Sequence, residues 1–179
     1  RSVEDAAGHR PSGALRGWKY LRFEGGTRVP LIAAWPGKVP RGVTPQFFSL
    51  VDLLATCAAL TKQPVPAGAA PDSINLLPVL LGETKAQLRT NIVQHGIGNV
   101  LALRAGDWKY FPANADASTG IGRGADPRDT RFSEAVVPEP LLFDLVTDPS
   151  ETRNLATARP EKLAELTQLL ADIRAKKAR

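Results

Sequence analysis

The sequence has no methionine, one cysteine and only two histidines in 179 residues. A single Cys excludes an internal disulfide framework, and Cys57, His9 and His95 fall short of any metal-ligand spacing. Aromatic residues make up 6%, too few for a nucleic-acid face of interleaved basic and stacking side chains. No apolar run approaches the roughly 18 residues of a membrane span, and no secretory signal opens the chain. A start of Arg-Ser-Val without Met reads as part of a longer or processed chain. Any chemistry must use few groups, or groups supplied from elsewhere.

What is present suits a folded domain. Apolar residues reach 43%, enough to build a core. Basic residues number 23 against 18 acidic, a formal net charge of +5. Arg174, Lys176, Lys177 and Arg179 gather at the end of an expected helix, where cations complement its dipole. The basic balance is compatible with an anionic substrate.

Residues 1–17 are polar and Gly/Pro-punctuated, and read as loop. Arg28 to Trp35 (RVPLIAAW) reads as a buried strand stopped by a turn at Pro36-Gly37. Ser49 stands as N-cap before Leu50, Leu53, Leu54, Cys57, Ala58 and Leu60, with Asp52 in the capping-box position and Pro64 and Pro66 closing the helix. Cys57 lies on that apolar stripe and is expected to be buried and inert. Residues 62–73 are Pro/Ala-rich loop. From Asn91 the texture changes to strand-like runs, NIVQH, VLALRAGDWKYF and LLFDLV, with Ala105-Gly106-Asp107 turning the middle run into a hairpin. Together they predict an antiparallel sheet of about four strands. Residues 112–140 read as a long loop, and Asp148 to Glu151 (DPSE) as a turn. Pro160 suits the first turn of a last helix, whose stripe of Leu163, Leu166, Leu169, Leu170 and Ile173 is expected to lie across the sheet.

Three stretches carry a resemblance: SGALRGWKYLRFEGGTRVPLIAAWPGKV over 12–39; SLVDLLATCAAL with DSINLLPVLLG over 49–60 and 72–82; and ALRAGDWKY with LFDLVTDPSETRNLA over 102–110 and 142–156. In order and spacing they resemble the C-terminal part of the type I sulfatases, of the alkaline-phosphatase-like superfamily. The resemblance implies an α/β fold class. Residues 1–88 would be the tail of the catalytic α/β domain, and residues 89–179 a small antiparallel-sheet subdomain with a C-terminal helix. It implies hydrolysis of sulfate esters of small molecules or glycans, and a periplasmic or extracellular intact protein.

The resemblance also implies site residues. In the family a Lys at the position of Lys19 contacts the sulfate, as suits a compact ammonium facing an oxyanion. The paired glycines after Glu24 permit a tight turn with positive φ that aims this segment into a cleft. A histidine of the His95 region reaches the substrate and could donate a hydrogen bond or a proton to an ester oxygen, although Gln94 replaces the first of the family's paired histidines. His9 would lie at the pocket rim. Arg28 reads as a structural partner for Glu24 or Asp52.

The family's formylglycine nucleophile arises in a C/S-x-P-S/A-R motif. Residues 9–13, His-Arg-Pro-Ser-Gly, imitate only part of it, and Cys57-Ala58-Ala59 fails it. Nucleophile and divalent metal, usually calcium, are therefore expected upstream, with the metal's Asp-Asn pair shortly before residue 1 and the chain alone inactive. Two alternatives remain at this point. One is a related phosphoesterase or phosphonate hydrolase, distinguished by its nucleophile. The other is a free-standing glycan- or partner-binding module, although its first strand and helix would then expose apolar faces.

Overall fold

Period-two alternation after Asn91 decides the architecture of the second half. The computed structural model describes Gly8 and residues 11–96, 100–114 and 136–177. Within these, β1 Asn91–His95, β2 Leu101–Ala105, β3 Trp108–Phe111 and β4 Leu141–Asp144 form a four-stranded sheet in the order β1-β2-β3-β4, with β2–β3 and β3–β4 antiparallel. The hairpin turn is Gly106-Asp107, flanked by the pair Ala105↔Trp108, and Gly106 adopts φ 54°, which a side chain would resist. Of the long loop expected over 112–140, residues 115–135 lie outside the described residues. Its ends are joined by an isolated bridge, with Asn114 N donating to Val137 O at 2.6 Å.

Each sheet face has its own core. Leu101, Leu103, Ala105, Trp108, Tyr110 and Leu142 meet Leu163, Leu166, Leu169, Leu170 and Ile173 of the helix Pro160–Lys177. The expected stripe therefore crosses the expected sheet. Ala102, Phe111 and Phe143 point to the opposite face, where Leu21 and Phe23 cover them. That second cover comes from the short helical turn Glu24–Thr27 and the segment before it. Residues 1–29 accordingly form one compact unit with residues 93–179.

Pro30–Ile92 forms the other unit, held by polar groups. Its helix runs Asp52–Thr61, with Val51 at the N-cap, two positions after the expected Ser49 cap (51 − 49). Asp52 Oδ2 accepts from Ser49 N at 2.9 Å, so the back-bonding half of the capping box forms without the forward half. Asp52 also accepts Ile74 N and is paired bidentately with Arg89, whose Nη2 reaches the Asp72 carbonyl at 2.6 Å. Thr56 Oγ1 accepts the N–H of buried Leu76 at 3.0 Å. Leu50, Leu53, Leu54, Leu60 and Cys57 face outward, so the helix buries its polar side; Cys57 is exposed and not buried. Arg28 to Trp35 forms no strand, and Ile32 is 89% exposed. The expected turn follows, with Lys38 N donating to Trp35 O and Gly37 at φ 77°.

Burial raises the Asp52 carboxyl pKa, but the Arg89 hydrogen bonds and charge and two backbone N–H groups outweigh it and hold the group below its ordinary value of 3.8. A depressed folded pKa contributes stability above the unfolded value and loses it as pH falls through the folded one. The Asp52 contribution is therefore present at neutral pH and disappears below about 4. Asp52→Asn should remove this acid-dependent part, seen as a flatter dependence of unfolding free energy on pH below that point. In the other unit, Leu166→Ala should cost about 2–5 kcal/mol in denaturant unfolding, because Leu166, on the sheet-facing side of the last helix, is 1% exposed.

Candidate functional site

Lys19 is exposed, and the segment carrying it is tied down on every side. Leu21, Arg22, Phe23 and Glu24 are all buried. Phe23 stacks on Phe111 at 4.8 Å between ring centroids and meets Phe143 edge-on at 6.5 Å. Arg22 donates from Nη1 to the Leu101 carbonyl at 2.9 Å and lies over the Phe111 ring at 5.2 Å. Burial pulls the Arg22 pKa down to about 10, so the guanidinium stays charged at neutral pH. Tyr20, next to Lys19, has φ 82°, a left-handed conformation unfavourable for a side chain, and Lys19 Nζ stands 5.0 Å from its ring centroid.

The paired glycines serve close approach. Neither Gly25 nor Gly26 has a positive φ; both lie in the Glu24–Thr27 turn. A Cβ on Gly25 would stand 2.3 Å from the Gly17 carbonyl oxygen, and one on Gly26 2.2 Å from that of Leu21. Gly25 N donates to Arg16 O at 2.7 Å, so the two stems meet at this point and Lys19 lies on the exposed stretch of chain that links them.

Glu24 anchors the second stem. Its Oε1 accepts Lys109 Nζ at 2.9 Å and its Oε2 accepts Arg104 Nη1 at 2.9 Å, while its backbone N–H donates to Glu151 Oε2 at 2.6 Å. Lys109 and Glu151 are fully buried, and Glu151 Oε1 lies 3.3 Å from Lys109 Nζ. Burial pushes the Glu151 carboxyl above its usual range; the Lys109 charge and the Glu24 N–H pull the other way. The Glu24 carboxylate is taken by Lys109 and Arg104, and Arg28 meets Glu24 through the backbone instead, its N donating to the Glu24 carbonyl at 2.8 Å.

His95 ends β1 with its side chain exposed, and Gly96 after it is buried. A Cβ on Gly96 would meet the Tyr20 carbonyl oxygen at 3.2 Å and Arg22 Cγ at 2.8 Å. The fold thus brings the backbone beside His95 against the backbone beside Lys19, two sequence candidates 76 positions apart by their numbers (95 − 19). His9 lies outside the described residues. Sequence reasoning missed Lys109, Glu24 and Glu151 as one cluster. A lysine inside the apolar run WKYF was the available signal, since a buried cation requires a carboxylate.

Among the described residues no group of three His, Cys, Asp or Glu could hold a metal ion. Exposed Cys57, inside a helix and followed by Ala58-Ala59, does not fit the formylglycine motif either. These residues fit neither group.

The chain matches no protein-family model. It is 40% identical over 178 residues to the N-acetylgalactosamine-6-O-sulfatase of Bacteroides thetaiotaomicron, covering 97% of this chain and 32% of that protein. Human arylsulfatase A is 38% identical over 168 residues, covering 88% of this chain and 32% of the relative. The chain therefore spans about a third of the length of the curated relatives it matches. A solved structure from work on the metabolism of multiple glycosaminoglycans by Bacteroides thetaiotaomicron superimposes with TM-score 0.82 at 40% identity, over 97% of this chain and 35% of that one. A Pseudoalteromonas sp. sulfatase, 22% identical, shares the fold at TM-score 0.65 over 90% of this chain and 32% of its own. The matched part is the C-terminal region of those alkaline-phosphatase-like structures.

Gly96→Ala tests the contact between the two candidate positions. Arg22 is fixed at its guanidinium and cannot swing away, so the added methyl should cost about 1–3 kcal/mol in denaturant unfolding. An unchanged midpoint would show that the two backbones are not in register there.

Proposed function

We propose that this chain, a sulfatase-family sequence along nearly its whole length, forms the part of a sulfate-ester hydrolase that presents Lys19 to the sulfate group. The observation that carries the reading is the placement of Lys19. Within the family-like stretch it stands exposed between two stems that the core fixes in place. A rigid segment ending in an ammonium is suited to meet charge without reorganising during the reaction.

In this reading Lys19 Nζ donates to a sulfate oxygen in the bound ester. It strengthens that contact as negative charge grows on the oxygen that leaves. His95, whose neighbour Gly96 packs against the Tyr20 carbonyl, donates a hydrogen bond to the same departing oxygen in this reading. The substrate class is a sulfated small molecule or glycan, and a sulfated amino sugar accords with the first of the relatives named above. A secreted or periplasmic protein goes with the same reading; among the described residues no helix is long and apolar enough to cross a membrane.

The attacking formylglycine and the calcium ligands are then supplied from outside this chain, and the chain alone is inactive. Held there, a formylglycine would supply a nucleophile and calcium a counter-charge for the sulfate; no residue of this chain takes either role. The outward apolar side of the helix Asp52–Thr61 supports association with further polypeptide.

The test is made in a full-length protein carrying this chain, with calcium present. Lys19→Ala should lower kcat/KM for an aryl sulfate or a sulfated amino sugar by ~10²- to 10³-fold, the loss typical of one oxyanion-stabilising donor. Turnover of phosphate esters with none of sulfate esters would overturn the reading.

A further inference from the structure

The cluster of Glu24, Lys109 and Glu151 has no direct place in the chemistry above, yet it grips both stems of the Lys19 segment. Arg16 Nη1 donates to the backbone carbonyl of Glu151 at 3.0 Å, and Glu24 N donates to the Glu151 carboxylate at 2.6 Å. One residue therefore clamps the chain on each side of Gly17 to Phe23. Glu151 is itself held in a left-handed conformation, φ 54°, by the turn before it. There Glu151 N donates to Asp148 O at 3.1 Å, and Asp148 Oδ2 accepts Thr152 N and Arg153 N, each at 2.8 Å. The DPSE segment, read from the sequence as a turn, thus orients the clamp.

Lys109 fixes the clamp to the sheet. Its Nζ lies 2.9 Å from Glu24 Oε1 and 3.3 Å from Glu151 Oε1, and its side chain has no solvent exposure. It stands directly across the ladder from Arg104, which holds the other oxygen of Glu24. The two carboxylates and two cations lock one another, and movement of Glu24 would leave buried charges unpaired.

We infer that Glu24, Lys109 and Glu151 are positioning residues for Lys19: they transmit the rigidity of the sheet to the segment that meets the sulfate. The inference rests on the functional reading of Lys19 and is tested so that the two can fail separately. In the full-length protein, Lys109→Met removes the central cation while keeping much of its volume. It should lower kcat/KM for the sulfate ester by ~10- to 100-fold, the loss expected from misplacing a reacting group by about an ångström. In a Lys19→Ala background the same change should have almost no further effect, since the cluster acts through Lys19. Tryptic cleavage after Lys19, followed by mass spectrometry, should accelerate relative to cleavage after Lys38, which lies in the other unit.

Multiplying losses in the double variant, or cleavage rising equally at Lys19 and Lys38, would overturn the inference and leave the cluster as a support of overall stability. If Lys109→Met does not fold, Arg104→Gln takes its place. It removes only the partly exposed partner of Glu24, and the same comparisons apply with smaller effects. A silent Lys19→Ala would defeat the functional reading; selective cleavage after Lys19 would still support the hold of the cluster on the segment, and uniform cleavage would overturn it.

Discussion

The carboxylate of Glu24, lodged between Lys109 and Arg104, is the constraint on which the larger unit depends. Arg104 and Lys109 are directly paired across adjacent strands and point to the same sheet face. Two cations in that relation repel, and burial would make the repulsion severe. The sheet therefore requires an anion on that face, and Glu24 comes from a segment far earlier in the chain. Its arrival brings Leu21 and Phe23 over Phe111 and Phe143, so the apolar core on this side closes with the ion cluster. Replacing the cluster by apolar groups need not weaken such a fold, but removing one member leaves another charge stranded.

The two units reverse the usual division of labour between polar and apolar side chains. In the sheet unit, apolar side chains fill both faces, and Glu24, Lys109 and Glu151 form one compact buried cluster of charge, with buried Arg22 held separately by the Leu101 carbonyl. In the Pro30–Ile92 unit, Asp52, Arg89 and Thr56 occupy the interior and tie successive loops through their backbone groups. Leucines of the same helix face outward. A short segment with few apolar contacts of its own can still hold one shape if its buried polar groups are satisfied.

Much of the sheet unit was legible in the sequence because its signals are local. Alternation, the Gly106-Asp107 turn and the leucine spacing after Pro160 each act within a few residues. The first half was less legible for the same reason. Arg28 to Trp35 has the composition of a buried strand, but no ladder neighbour for it exists among the described residues, so the run stays irregular and exposed. The stripe from Leu50 to Leu60 fixed the helix but not the side it buries, which Asp52 decides by finding Arg89. The candidates Lys19 and His95 came from resemblance, and the approach of the backbones beside them did not. It depends on Gly96 admitting the Tyr20 carbonyl, a contact with no local signature. The glycines after Glu24 were singled out for their freedom of φ, whereas the structure uses their lack of a side chain.

The hydrogen bond from Glu24 N to Glu151 spans 127 positions. Contacts of such long range form slowly, because a large loop must close before they contribute. During synthesis the segment bearing Lys19 emerges well before the DPSE turn that clamps it, and it has no place to dock until β3 and that turn exist. The order of folding is therefore set against the order of synthesis. The sheet and its terminal helix can assemble from near neighbours, and the candidate site closes last, as the final check that everything behind it is in place.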